Sequence, residues 1–382
     1  MNMQNAKLLV CGLLLIALQP LQAQFAYFNT VHGTVLDEKT GKPLSGVNVF
    51  LSKTTLGTVT DADGVYRIEH APPGVYDLVF QHVGYTMKIQ QVQFAYVSTI
   101  QIDTKLMPRI LEGREVRITG RYTKERIRRL QEFTRMFLGE TRNAKACRIL
   151  NPEALDFKID STDGRWTARS EEAVVVENLA LGYTVRNYII RFKWSKSLSQ
   201  IQQNIFTVFK PIPAADANTS ETWARNREAA FLGSQKHFLS AVAQHRIDEE
   251  GFKLYQSNIQ PLEDRDSAFR EEGSGFYIPS KIFYGRNRSG LSMDTVSYPQ
   301  NKIGLAAGLV KLQFKDWLKI KYGVTFSYLN LEGHSLIVDS LGNNWNPTSY
   351  QITGRWAYSG AADKLPLDYS PQPATSRRTD VR

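Results

Sequence analysis

Val31–Tyr85 reads VHGTVLDEKTGKPLSGVNVFLSKTTLGTVTDADGVYRIEHAPPGVYDLVFQHVGY. At period two, His32–Leu36 is a strand, closed by the turn-forming cluster Asp37–Pro43. Val47–Leu51 follows, with Val47, Val49 and Leu51 on one face. Gly57–Thr60 leads into Asp61-Ala62-Asp63-Gly64, a tight turn whose glycine takes positive φ at no steric cost. Val65–Ile68 runs out to the turn Pro72-Pro73-Gly74. Tyr76–Phe80, Lys88–Val92 and Ser98–Ile102 bring the count to about seven short strands with turns roughly every 8 to 12 residues, the spacing of a β-sandwich. Asp61 and Asp63 have the D-x-D-G opening of a calcium loop, but its twelfth position falls on Pro72 where a bidentate glutamate is needed, so the turn is read as a plain one.

Gly33, the run Thr40–Val47, Thr60-Asp61, Asp63–Tyr66, Pro73–Tyr76 and Val83–Tyr85 occur in order across this stretch. On these residues it resembles the carboxypeptidase-regulatory-like module, a prealbumin-like sandwich that sits beside the catalytic domain of some metallocarboxypeptidases. The resemblance implies a fold, here over residues 27–107, and no activity.

The chain before it carries Lys7, an apolar run Leu8–Leu18, Pro20 and the small-residue site Leu21-Gln22-Ala23, which match a signal peptide over 1–23. The run is about half of the roughly 20 residues a membrane-spanning helix needs, and Cys11 lacks the residues that precede a lipidated cysteine. No second long apolar segment follows, so no integral membrane span is expected. With the leader removed, Cys147 is the one cysteine left and no intramolecular disulfide can form. Stability then rests on ordinary cores, for which 382 residues suffice in two or three domains. A composition of 42% apolar and 22% charged residues is globular, and the net charge of +10 favours polyanions. For an exported chain these are lipid headgroups or acidic glycans, and no nucleic-acid-binding motif accompanies the charge.

Residues 108–140 read as a charged connector and helix. Ile127, Leu130, Phe133, Met136 and Phe137 recur at helical spacing, with Thr123 as N-cap and Gly139 as stop. Arg121, Lys124, Arg128 and Arg135 form the candidate anion-contact face, set against a solvated face in which Glu125 and Glu132 dilute the charge.

Residues 145–369 read as an α+β domain. Leu155–Asp160, Val174–Asn178 and Tyr183–Phe192 are strands, and Trp223–His245 is one long amphipathic helix ended by Gly251. Leu309–Phe314, Leu318–Tyr322, Val324–Leu329 and Leu336–Asp339 return to strand, with Gly342-Asn343-Asn344 as a turn. Residues 370–382 are a disordered tail by composition. The fold class is therefore mainly β: an N-terminal seven-stranded prealbumin-like β-sandwich followed by a sheet-rich α+β domain with one long amphipathic helix.

Asn151–Phe157, Glu177–Tyr183, Trp223–Ser234 with His237-Phe238, Gly354-Arg355-Trp356 and Leu365–Tyr369 extend the resemblance to a family of exported Bacteroidetes proteins in which such a region follows the sandwich. That resemblance implies fold and export and carries no catalytic or binding residues.

Groups that could carry chemistry are few. A catalytic zinc needs three protein ligands, yet of six histidines three (His32, His70, His82) lie in the sandwich. His237 and His245 are two helical turns apart, too far for a helical zinc pair, and His237 is read as packing at the helix surface. Ser274 sits in Glu272-Gly273-Ser274-Gly275, short of a nucleophile elbow, and Cys147 has no visible activating partner. Asp248 and Glu250 read as helix-end charges. Phe276, Tyr277, Phe283, Tyr284, Trp317, Tyr322, Phe326 and Tyr328 fall in strands, where an exposed row stacks on sugars or peptide and a buried one is core.

No catalytic residue, metal or cofactor is assigned. The expected function is that of a non-catalytic exported protein of the periplasm or outer membrane, binding an envelope protein complex or an acidic glycan, without nucleic acid. The alternative is an envelope hydrolase acting on peptide or glycan through scattered carboxylates, which a pocket with two carboxylates about 5 to 10 Å apart would mark. A third reading, the leading module of a TonB-dependent receptor, is opposed by the lack of evenly spaced barrel strands downstream.

Overall fold

The computed structural model describes residues 29–94, 97–109, 123–160, 164–194, 201–257, 276–278, 292–295, 309–345, 350–357 and 359–371. The leader-like stretch 1–23, Arg121, the Ser274 loop, Phe283, Tyr284 and residues 372–382 lie outside them, as do the side chains of Phe276 and Tyr277.

Residues 29–106 fold as two facing sheets. The strands are β1 (Asn29–Asp37), β2 (Asn48–Leu51), β3 (Gly57–Val59), β4 (Val65–Ala71), β5 (Gly74–Gln81), β6 (Lys88–Phe94), β7 (Thr99–Gln101) and β8 (Thr104–Leu106). One sheet runs β4-β1-β7, with β8 pairing parallel to the far end of β1, and the other runs β3-β2-β5-β6. The predicted alternation places Val31, Val35, Val47, Val49, Leu51, Leu78 and Phe80 in the core between them. β8 is the strand beyond the expected seven, and three residues are too few to show a period. At the turn read as plain, the Asp61 carboxylate accepts the backbone N–H groups of Asp63 and Val65 at 3.0 and 2.8 Å.

Next come α1 (Lys124–Leu138), β9 (Cys147–Ile149), β10 (Leu155–Ile159), β11 (Trp166–Ser170), β12 (Val174–Asn178), β13 (Tyr183–Trp194) and β14 (Ile201–Pro211). β13 organises this sheet: β11 and β12 pair with its two ends and β14 along its length. Side chains alternate across a strand, and a bulge between Ile189 and Arg191 shifts that alternation by one residue, so its two faces have different neighbours. Val185, Ile189, Phe192 and Trp194 pack with Phe133 and Phe137 of α1. On the opposite face, Tyr188 stacks on Phe50 of β2 at 5.3 Å between ring centroids, joining this sheet to the sandwich. The helix follows its predicted limits, with the Thr123 hydroxyl accepting from Arg126 N–H and Gly139 at the C-cap.

The remaining elements are α2 (Ala217–Phe231), α3 (Gln235–Ala243), β15 (Phe252–Ser257), β16 (Phe276–Ile278), β17 (Ser292–Thr295), β18 (Val310–Gln313), β19 (Trp317–Tyr322), β20 (Thr325–Asn330), β21 (Leu336–Val338) and β22 (Gln351–Gly354). They form an antiparallel sheet β16-β15-β19-β20-β22 and a smaller one, β17-β18-β21, around a core with Phe238, Leu239 and Val242 of α3. The expected single helix Trp223–His245 is corrected here to two. The break is at Gly233, whose φ of +71° leaves the helical region, after which Ser234 caps α3 by accepting the His237 N–H. α3 stops at Ala243, well before Gly251. Among the described residues no helix is long and apolar enough to cross a membrane.

A closing segment, residues 360–369, ties the parts together. Ala362 and Leu365 join the core under α1, and Leu367 packs against the sandwich core. Leu367 N–H donates to Lys53 O at 2.7 Å, Asp368 takes the Thr55 N–H and hydroxyl, and Lys236 Nζ of α3 reaches the carbonyls of Pro366 and Leu367 at 3.0 and 2.6 Å.

Candidate functional site

The arginines of α1 divide by position on the helix. Arg126 and Arg129 turn inward: Arg126 donates to the carbonyls of Pro152 and Leu155, and Arg129 lies 3.6 Å over the Trp166 ring while bonding Glu132 at 3.0 Å. Lys124, Arg128 and Arg135 remain on the exposed stripe, three of the four predicted contact residues. Arg135 pairs with Glu140 at 3.1 Å.

Beside this stripe runs a groove of about 550 Å³ between α1 and the turn that follows it. Leu130, Leu138, Ala144 and Cys147 give it a largely apolar floor, and Arg135 and Lys145 stand at its rim. The turn is braced from behind, since Asp363 of the closing segment accepts from Thr141 Oγ1 at 3.0 Å and Asn143 Nδ2 at 2.9 Å. Burial pushes the Asp363 carboxyl up from the usual carboxylate range, against those two bonds. Burial, with Asp363 nearby, pushes the Cys147 thiol up to about 12, so at neutral pH it is a protonated part of the groove's floor and no nucleophile. Lys145 escaped the sequence reading because nothing in a helix period marks a residue on the turn beyond it.

The other singled-out residues serve the fold. His237 is corrected from a surface position to a buried one: it is 3% exposed, against Phe231, Phe252 and Tyr322. Its Nδ1 accepts the Gly233 N–H at 3.0 Å, so the ring proton is on Nε2, 3.2 Å from Glu250. Trp223, Asn226 and Arg227 on one face of α2 donate to the successive carbonyls of Leu179, Ala180 and Leu181 at 2.8, 2.8 and 2.7 Å. Trp356 Nε1 donates to Gly233 O, and Asn178 Nδ2 to Ala362 O. The sequence stretches 177–183, 223–234 and 354–369 are thus clasps between side chains and backbone. The aromatic row separates too: Trp317, Phe326 and Tyr328 share one face of their sheet while Tyr322 faces α3, and Trp317 and Phe326 are buried. Among the described residues no group of three or more His, Cys, Asp or Glu side chains is placed to hold a metal ion.

Comparison with known proteins identifies the first of these parts. Residues 31–118 match the CarboxypepD_reg-like domain. The sandwich described above lies within that match, and its two sheets agree with the sandwich that the alternation predicted and with the prealbumin-like class that the resemblance implied. A stretch of 103 residues, 26% of the chain, is 35% identical to the TonB-dependent transporter Oar of Myxococcus xanthus, and the chain spans about a tenth of that curated relative's length. Among solved structures, a cohesin–X-dockerin complex from Acetivibrio cellulolyticus is similar at 21% identity over 20% of this chain and 56% of that one, with a TM-score of 0.18. A Bacteroides uniformis protein described as carbohydrate-binding is 14% identical over 48% of this chain and 79% of its own, with a TM-score of 0.17. Likenesses this slight carry no argument about function. The CarboxypepD_reg-like domain itself accounts for less than a third of the chain.

Proposed function

We propose that this chain is a non-catalytic accessory protein of the bacterial envelope that binds a partner protein or an acidic glycan. In this reading a leader over 1–23 sends it across the inner membrane to the periplasm or the outer-membrane surface. The sandwich at 27–107, the connector and helix at 108–140 and the region at 145–369 then act together as a binding scaffold. One observation carries the reading: His237 is held inside the fold by Gly233 and Glu250, whereas the open groove on α1 has exposed cations beside it. The partial match to a TonB-dependent transporter supports an envelope setting.

The test is photo-crosslinking in the cell from Gln131 on the exposed stripe and, as a control, from Lys210 on β14. A discrete adduct from Gln131, reproducibly absent from Lys210, is expected. Adducts from neither position, in a correctly exported protein, would remove the binding reading of α1.

A further inference from the structure

We propose that the α1 groove takes an acidic peptide segment of a partner protein, with an apolar side chain on its floor and carboxylates at its cationic rim. The inference rests on the accessory-protein reading and gives that reading's partner a chemistry.

Three observations lead to this ligand class. The first is charge. Arg128, Gln131 and Arg135 stand at i, i+3 and i+7 on one side of α1, and Lys145 stands across the groove, exposed. Glu140, which also lines the groove, offsets Arg135, which leaves Lys145 in the lining, with Arg128 one helical turn beyond it, to set the sign of the site. A ligand that complements it is anionic.

The second is the floor. Leu130, Leu138, Ala144 and Cys147 offer apolar surface, and the raised thiol pKa keeps Cys147 uncharged there. A purely polar polyanion would leave that surface wet, so the ligand presents an apolar group between its charges.

The third is the distribution of polar groups along the walls. Gln131 and Thr134 line one side at intervals of about one helical turn. Their amide and hydroxyl need partners if a ligand covers them, because burying such groups without a hydrogen bond opposes binding. A peptide backbone offers an N–H and a C=O at every residue, whereas an acyl chain offers neither. The far wall is preformed, since Asp363 fixes Thr141 and Asn143 and Cys147 Sγ donates to Asn143 O at 3.4 Å. Little ordering entropy is then left to oppose binding.

The experiment uses the full chain and a fluorescent twelve-residue probe of alternating Glu and Leu, read by anisotropy at low salt. Saturable binding is expected, weakened about tenfold by Lys145→Glu, the loss expected when a favourable charge contact turns repulsive. Lys210→Glu, remote from the groove, should leave it unchanged. Replacing the probe's leucines by serine should also weaken binding about tenfold, a test of the floor that cannot be confused with misfolding of the protein. Three results would overturn the proposal: equal effects of Lys145→Glu and Lys210→Glu, equal competition by polygalacturonate, which carries charge with no apolar group, or stronger retention by anionic phospholipid vesicles than by the probe. Because the crosslinking test is independent of the probe, a discrete adduct with no peptide binding would reject this ligand class and leave the accessory role standing.

Discussion

At His237 the two ring nitrogens have different partners, and this limits what the residue can do. Nδ1 accepts a backbone N–H, which carries a proton at every ordinary pH, so it is closed to a metal ion and to a substrate proton. His237→Phe keeps the ring among Phe231 and Phe252 but strands the Gly233 N–H and removes one partner of Glu250, which keeps Arg246. A loss of about 1–3 kcal/mol is expected from urea unfolding, with no response of the wild-type protein to EDTA. Chelator sensitivity would show that the ring binds metal. Cys147 makes a second residue-scale prediction. Its folded pKa of about 12 lies above that of a free thiol, so its contribution to stability is fully present below the unfolded value, near 8.5, and declines as pH rises towards 12. Folded protein at pH 8 should react with a thiol-specific disulfide reagent far more slowly than protein in urea. Equal rates would place the thiol in an exposed, ordinary environment.

Among the elements, the clasp of α2 on residues 179–181 shows why the sequence was informative about strands and poor about clasps. Gly182 has a φ of +71°, and a Cβ there would lie 2.4 Å from the Trp223 ring. Gly182→Ala therefore meets two obstacles: left-handed backbone strain of about 1–2 kcal/mol and the displacement of α2. Trp223→Phe loses the bond to Leu179 O, about 1 kcal/mol, together with some packing. Since the smaller ring relieves part of the clash, the double variant should cost less than the sum of the two in chemical denaturation. Strict additivity would mean that Gly182 is needed for its φ alone. Such long-range pairings leave no period behind. Val47–Leu51 and Tyr183–Phe192 were legible because Val47, Val49 and Leu51 on one, and Tyr183, Val185 and Ile189 on the other, recur at period two on a core face. β9 and β8, three residues each, show no period, and the break between α2 and α3 was hidden because Phe231, Phe238 and Val242 keep a helix-like spacing through Gly233. Arg135 at the groove, and Arg128 one turn beyond it, were legible from helix periodicity, whereas Lys145 belongs to a turn that tertiary contacts with Asp363 set in place.

For the whole molecule, the question is what connects its three largest hydrophobic cores. The sandwich meets the β13 sheet through the Phe50–Tyr188 stack and through Lys53 and Thr54, whose backbone bonds β14 beside Thr207 and Phe209. Residues 360–369 add a second connection, with side chains in two of the cores and bonds to Lys53, Thr55, Asn178 and Lys236. Each of those bonds contributes about 1 kcal/mol on its own, but all depend on one short segment, so removing it removes them together. A chain ending at Ser359 should therefore lose more than its missing contacts. Asp363 would no longer brace the groove wall, Leu367 would leave the sandwich core, and Lys236 would lose both carbonyl partners. Calorimetry should then resolve separate transitions where the full chain gives one, because coupling between the cores falls below the cost of unfolding the weakest. Phe50→Asp in the full chain is the complementary test: it attacks the first connection, burying a charge against Tyr188 while residues 360–369 stay bound. If the closing segment is the stronger connection, Phe50→Asp lowers the midpoint but preserves a single transition. If it is the weaker, the two variants exchange behaviours, and the Phe50–Tyr188 stack is what holds the sandwich to the rest.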